Sequence, residues 1–203
     1  MVKAVIFDIG GVLINLDMDG CIRAFRENLG FERITELLDP YHQKGIYGDM
    51  EAGILSADEF RAQVLRESAP GSRPEDVDRS MRALLSGMEA DTVETVKDLS
   101  ARYPLYLLSN NNPISMGHIL HMFQDYGINP ETTFREQFIS CEMKLLKPSA
   151  QIYMEAVARV GLPAQEILFI DDNDANVQAA RAVGLQARVY VAGTRLSILL
   201  SDL

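Results

Sequence analysis

Asp8 closes a short apolar run, Ala4-Val-Ile-Phe7, and is followed at once by Ile9-Gly10-Gly11-Val12. A carboxylate at the carboxyl end of a strand, before a flexible turn, stands where open α/β sheets bind their ligands. It is ionised near neutral pH and can attack without a base, provided that a cation offsets repulsion from an anionic substrate. The two glycines let the backbone approach that substrate closely. An Asp that merely ends a strand before a turn is common, so Asp8 gains meaning only from the other strand ends.

A second apolar run ends in Phe169-Ile170-Asp171-Asp172-Asn173-Asp174-Ala175-Asn176. Helix capping accounts for Asn173 and Asp174, whose types suit the start of a helix and its dipole. It accounts less well for Asp171 and Asp172. Facing Asp8 across a sheet edge, these two would supply the oxygen ligands that magnesium (Mg2+) takes alongside waters and a phosphate oxygen. A third run, Leu105-Tyr-Leu-Leu-Ser109-Asn110, ends in a hydroxyl and an amide able to meet a phosphate, although a polar turn would look the same. Lys147 precedes Pro148 at a helix start, where an anion is already favoured, and Lys144 is its rival.

Apolar runs at Ala4–Phe7, Leu105–Leu108, Gln137–Ser140, Ile167–Ile170 and Ala187–Val191 alternate with stretches of helical period. The alternation predicts an α/β fold, a Rossmann-like, doubly wound parallel sheet. Tyr153, Ala156, Val157 and Val160 share one helix face, with Pro148 expected in the first turn and Gly161 at the end. Residues 17–86 break the alternation, with helical patterns such as Ile22, Phe25 and Leu29 but no strand-like run. We therefore expect an inserted all-helical cap at 17–86 on a core of 1–16 and 87–203. The apolar tail Leu196–Leu203 is expected to fold back on the body.

The 203 residues, 47% hydrophobic and 24% charged, match a folded globular protein. A net charge of −10 argues against sequence-independent nucleic-acid binding, which needs clustered lysine and arginine. No apolar run reaches the roughly 18 residues of a membrane span. Two cysteines, Cys21 and Cys141, make neither a disulfide framework nor a zinc cluster. Such sparse cysteines fit a reducing cytoplasm as the expected setting, no secretory leader precedes the first strand-like run, and a monomer is expected by default, a homodimer being the alternative. His118 and His121, three residues apart, lack an evident third metal ligand and read as an ordinary helix face.

Four strand-end features in the order Asp, Ser-Asn, Lys-Pro and Asp-Asp resemble the haloacid dehalogenase superfamily of hydrolases over the whole chain. The resemblance implies that Asp8 is the nucleophile, that Ser109 with Asn110 binds phosphate, and that Lys147 belongs to the third motif. Asp171 and Asp172 form the acidic fourth motif, and the helical insert matches the cap placed after the first strand. It further implies a magnesium-dependent phosphatase of a small phosphorylated metabolite, working through an aspartyl-phosphate, with metal held by Asp8, Asp171, Asp172 and the Gly10 backbone carbonyl.

The chain departs from the family's usual D-x-D at Gly10, which can neither protonate a leaving group nor activate water. Asp17, Asp19, Asp49 and Glu51 are the carboxylates that could take over, and spacing does not choose among them. The D-x-G-x-V form is similar to that of bacterial sugar 1-phosphate phosphatases, so a sugar phosphate is the favoured substrate class. The alternatives are a metal-independent 2-haloacid dehalogenase, whose relatives also lack the second Asp, and a catalytically weak phosphate-ligand-binding protein.

Overall fold

A computed structural model describes residues 1–39 and 43–203. Its centre is a five-stranded sheet: β1 (Ala4–Phe7), β4 (Leu105–Ser109), β5 (Phe134–Ile139), β6 (Ile167–Asp171) and β7 (Gln186–Val189). The spatial order is β5-β4-β1-β6-β7 and every pairing is parallel. The chain steps one way from β1 and then returns to its other side, so the direction of winding reverses at β1. The loops after β1, β4 and β6 consequently diverge there and leave a crevice at the carboxyl edge.

Alternation along the strands assigns each side chain to a face. Val5, Phe7, Leu105, Leu107, Leu168 and Ile170 belong to a core shared with α6 (Ala90–Ser100), α7 (Pro113–Asp125) and α12 (Leu196–Leu199). Ala4, Ile6, Tyr106, Leu108, Ile167 and Phe169 belong to the other, with α10 (Ala150–Val160) and α11 (Asp174–Ala182). Covering both faces makes the central strands apolar throughout, which is why they stand out in the sequence. Leu196 and Leu200 of the tail are buried against the first of these cores.

Two strand limits and one helix start differ from the sequence expectation. The edge strand β5 begins at Phe134 rather than Gln137, because Arg135 at its start faces solvent and interrupts the apolar signal. Strand β7 is Gln186–Val189. Helix α10 begins at Ala150 with Ser149 as its cap, so Pro148 lies outside the first turn. The Ser149 hydroxyl accepts from the Gln151 N–H, which a helix begun at Pro148 would not use.

Between β1 and α6, helices α1 (Met18–Leu29), α2 (Ile34–Leu37), α3 (Gly45–Glu51), α4 (Ala57–Arg66) and α5 (Pro74–Arg82) surround a core of their own. Phe25, Phe31, Tyr47, Phe60, Val77 and Met81 fill it, joined by Ile114 from α7. Residues 40–42, part of the expected cap, fall outside the described residues. Two short antiparallel strands, β2 (Asn15–Leu16) and β3 (Leu85–Gly87), tie the insert's entry to its exit. Polar Asn15 and small Ser86 and Gly87 gave them no apolar signature.

The cap is also fastened at α3. Ser140, completely buried at the start of α9 (Ser140–Met143), accepts from the Asn111 N–H at 2.9 Å and donates to the Glu51 carbonyl at 2.6 Å. Gly53 lies so close to the Cys141 carbonyl that any Cβ would collide with it. Ser140→Ala leaves the Asn111 N–H buried and unpaired and should cost about 1–3 kcal/mol. Urea unfolding checks this; a loss within 0.5 kcal/mol, the range usual for surface changes, would contradict it.

Candidate active site

Asp8 sits one residue beyond the Phe7–Ile170 pair, its N–H bonded to the Ile170 carbonyl at 2.8 Å. The carboxylate therefore emerges between β4 and β6 at the sheet's switch point. The following turn doubles back, with the Leu13 and Ile14 N–H groups both returning to the Ile9 carbonyl at 2.9 Å. Gly11 holds φ +77°, and a Cβ there would run into the Asp172 carboxylate. Glycine is thus required both by the backbone and by the approach of the two acidic loops.

Lys147 is the hub of the site. Its ammonium, 3% exposed as a residue, lies 2.9 Å from Asp8 Oδ1 and 2.6 Å from Asp171 Oδ2. Two of its three donors are therefore engaged and one remains. Burial opposes its charge, but Asp171 and Asp8 outweigh burial and hold it above the usual lysine range. Asn110 fixes the lysine's backbone: its Oδ1 accepts the Lys147 N–H at 2.8 Å and its Nδ2 donates to the Lys147 carbonyl at 3.0 Å. The Asn110 amide, read from sequence as a phosphate donor, is thereby committed to Lys147. Ser109, buried at the end of β4, has only a 3.5 Å contact between its hydroxyl and the Asn110 carbonyl. Lys144, the rival lysine, has a left-handed backbone with φ 55° at the end of α9 and does not line the pocket.

The two acidic neighbours differ in their surroundings. Asp171 is fully buried, and its oxygens accept from Lys147, the Asn173 N–H at 2.8 Å and Asn176 Nδ2 at 3.0 and 3.1 Å. Asp172 is half-buried and accepts no hydrogen bond from another described residue; burial and the Asp171 charge push its carboxyl above the usual range, against Lys147. Asp8 uses only Oδ1, for the Ile9 N–H at 2.7 Å and Lys147. Burial pushes its carboxyl up to about 7, Lys147 pulling down and Asp171 pushing up.

Oxygens of Asp8, Asp171 and Asp172 can lie within 4.8 Å of one another. With all three carboxylates ionised, one ammonium leaves two negative charges uncompensated, and the spare acceptors are hard oxygens, as magnesium requires. The Asn176 amide oxygen is also buried without a partner beside this cluster. These residues fit a dication.

The site opens into a cavity of about 100 Å³, with Asp8, Gly10, Ser109, Lys147 and Asp172 on the core side and Tyr47, Glu51 and Leu84 on the cap side. A second groove of about 260 Å³, lined by Gly48, Asp49, Ala52 and Leu146, shares Gln43, Glu51, Asn110 and Lys147 with it. Glu51 is half-buried, and burial with the facing Asp8 charge pushes its carboxyl up to about 8, Lys147 opposing. Of the other carboxylates considered, Asp17 caps α1 by accepting from the Gly20 N–H at 2.7 Å, and Asp19 and Asp49 are exposed. Sequence reasoning missed Ser140 and the separate tasks of Asn110 and Asn176, which only the meeting of loops distant in the chain reveals. His118 Nε2 meets the Asp78 carbonyl at 3.2 Å, joining α7 to the cap.

Comparison with known proteins gives the family. Residues 2–184 match the family model of haloacid dehalogenase-like hydrolases. The D-ribitol-5-phosphate phosphatase of Bacteroides thetaiotaomicron is 29% identical over 187 residues, spanning 92% of this chain and 90% of that protein. A haloacid dehalogenase family enzyme from the same organism, crystallised with magnesium and inorganic phosphate, superposes with a TM-score of 0.86 at 28% identity, over 98% of this chain and 100% of that one. A predicted hydrolase of this type from Porphyromonas gingivalis gives 0.88 at 32% identity, over 100% and 97%. The chain belongs to the haloacid dehalogenase-like hydrolases.

Proposed function

We propose that the protein is a magnesium-dependent phosphatase that transfers the phosphoryl group of a small metabolite to Asp8 and then to water. The observation that carries this reading is the asymmetry of Asp8. One carboxylate oxygen is held by Lys147 and the Ile9 N–H, and the other accepts no hydrogen bond from any described residue in a capped cavity. An oxygen so oriented attacks phosphorus in line, with little side-chain motion.

The remaining donor of Lys147 meets the oxygens of the transferring group, and the Ser109 hydroxyl donates to them. Asn110 keeps the lysine backbone in place, and Asp171 holds the ammonium charged. In a site this dry, fixed charges of this kind supply most of the stabilisation that phosphoryl transfer needs. Asp8, Asp172 and the Gly10 carbonyl would hold magnesium, with Asp171 positioning the cluster through Lys147 and Asn176. When bound, the metal neutralises the surplus carboxylate charge and withdraws charge from the phosphoryl oxygens. The cap excludes bulk water and shapes the leaving-group side.

Among the described residues, Lys147 is the one cation lining the cavity and the adjoining groove. A second anionic group on the substrate would find no partner there. A neutral sugar or polyol leaving group fits, in keeping with the D-ribitol-5-phosphate phosphatase relative. The carboxylate pair Asp171–Asp172 disfavours the dehalogenase alternative, since without metal it would repel a haloacid.

The test is hydrolysis of p-nitrophenyl phosphate and of a panel of sugar and polyol phosphates, with magnesium and with chelator. Turnover should require magnesium and fall by at least about 10⁴-fold in Asp8→Asn. Halide release from haloacids in chelator, with no phosphate release, would instead establish the dehalogenase. Lys147→Met strands Asp171 as an unpaired buried charge and should destabilise the metal-free protein by about 3–5 kcal/mol in urea unfolding. A change below 1 kcal/mol would show that Lys147 does not hold the cluster together.

A further inference from the structure

Resting on the phosphatase reading, we propose that Glu51 is the general acid of the reaction, taking the place of the carboxylate that residue 10 does not supply. Residue 10 is a glycine whose nearest neighbour at the Cβ position is the Leu16 side chain, at 3.3 Å, so it brings no acidic group to the site. The proton for the leaving oxygen must come from elsewhere.

In-line displacement sets that direction. Asp8 approaches phosphorus from the carboxyl edge of the sheet, so the departing oxygen points away from the sheet, toward the cap. Glu51, the last residue of α3, is the cap carboxylate that lines the same cavity as Asp8. Asp49 lines only the outer groove, and Asp17 is spent on capping α1. The Glu51 carboxyl forms no hydrogen bond or ion pair with another described residue. Its backbone, in contrast, is pinned to the core by Ser140, whose hydroxyl also engages the Asn111 N–H. A fixed backbone carrying an unengaged, half-buried carboxyl into the nucleophile's cavity is the arrangement a proton donor needs. Its burial favours the protonated form, which suits that task.

The step balances without another reactant. Asp8 Oδ2 forms a bond to phosphorus as the bond from phosphorus to the leaving oxygen breaks. The Glu51 proton passes to that oxygen, releasing an alcohol and leaving Glu51 ionised. Water then attacks the aspartyl-phosphate, gives its proton to Glu51, and frees phosphate and Asp8.

The test compares Glu51→Gln with the parent protein under single-turnover conditions, on p-nitrophenyl phosphate and on an alkyl phosphate whose leaving alkoxide needs protonation. Alcohol release from the alkyl ester should fall about 10²–10⁴-fold, and p-nitrophenolate release less than about 10-fold. Thermal melting confirms that the variant is folded. Equal losses on the two esters, or no loss on the alkyl ester, would overturn the assignment. If the parent protein hydrolyses neither ester, the phosphatase reading itself fails; if it hydrolyses both, only the role of Glu51 is at stake.

Discussion

One buried ammonium is paired with two carboxylates and lies near a third, and the surrounding structure is organised to keep it there. Lys147 touches Asp8 and Asp171 in a site from which water is largely excluded, and its own charge is sustained only because they outweigh its burial. Ionic groups removed from water are stable only when their partners are held closely and their remaining hydrogen-bonding positions are filled. Asn110 clamps the lysine backbone, and Asn176 with the Asn173 N–H saturates Asp171. Asp8 and Asp172 keep oxygens uncommitted. The stable part of the cluster is thereby separated from the part open to a metal and a substrate.

The sheet makes this separation possible. Reversal of winding at β1 brings the ends of β1, β4 and β6, together with the loop after α9, to one edge. Rigid, doubly covered strands fix where each side chain emerges, and chemistry is left to the residues just beyond them. The helical insert has its own apolar core, so it can stand over that edge without being merged into the sheet layers. Ser140 links α3 to the loop after β4, making the position of α3 and its terminal Glu51 depend on the core.

Much of this was legible from the chain. Asp8, Ser109 and Asp171 each end a short apolar run, and a strand buried on both faces announces itself by being apolar throughout. Helices of the insert were equally plain from their period. What could not be read lay in meetings between distant segments. Nothing in the residues around Asn110 says that its amide will be consumed by Lys147. Nor does the spacing of Asp17, Asp19, Asp49 and Glu51 indicate which of them faces Asp8, since that depends on how the cap is seated. The edge strand β5 began earlier than its apolar part because a strand exposed along one side mixes polar with apolar residues. Strands β2 and β3 were invisible because their pairing rests on backbone hydrogen bonds more than on side-chain type.

Nucleophilic attack by Asp8 on phosphorus requires that Asp8 become covalently phosphorylated. Quenching turnover of a phosphate ester with borohydride, which reduces an acyl phosphate, and mapping the peptides by mass tests this directly. Conversion of residue 8 to homoserine, dependent on magnesium and on the ester, is the predicted result. An unmodified Asp8 in a protein that is demonstrably turning over, or a modification at another carboxylate, would contradict it.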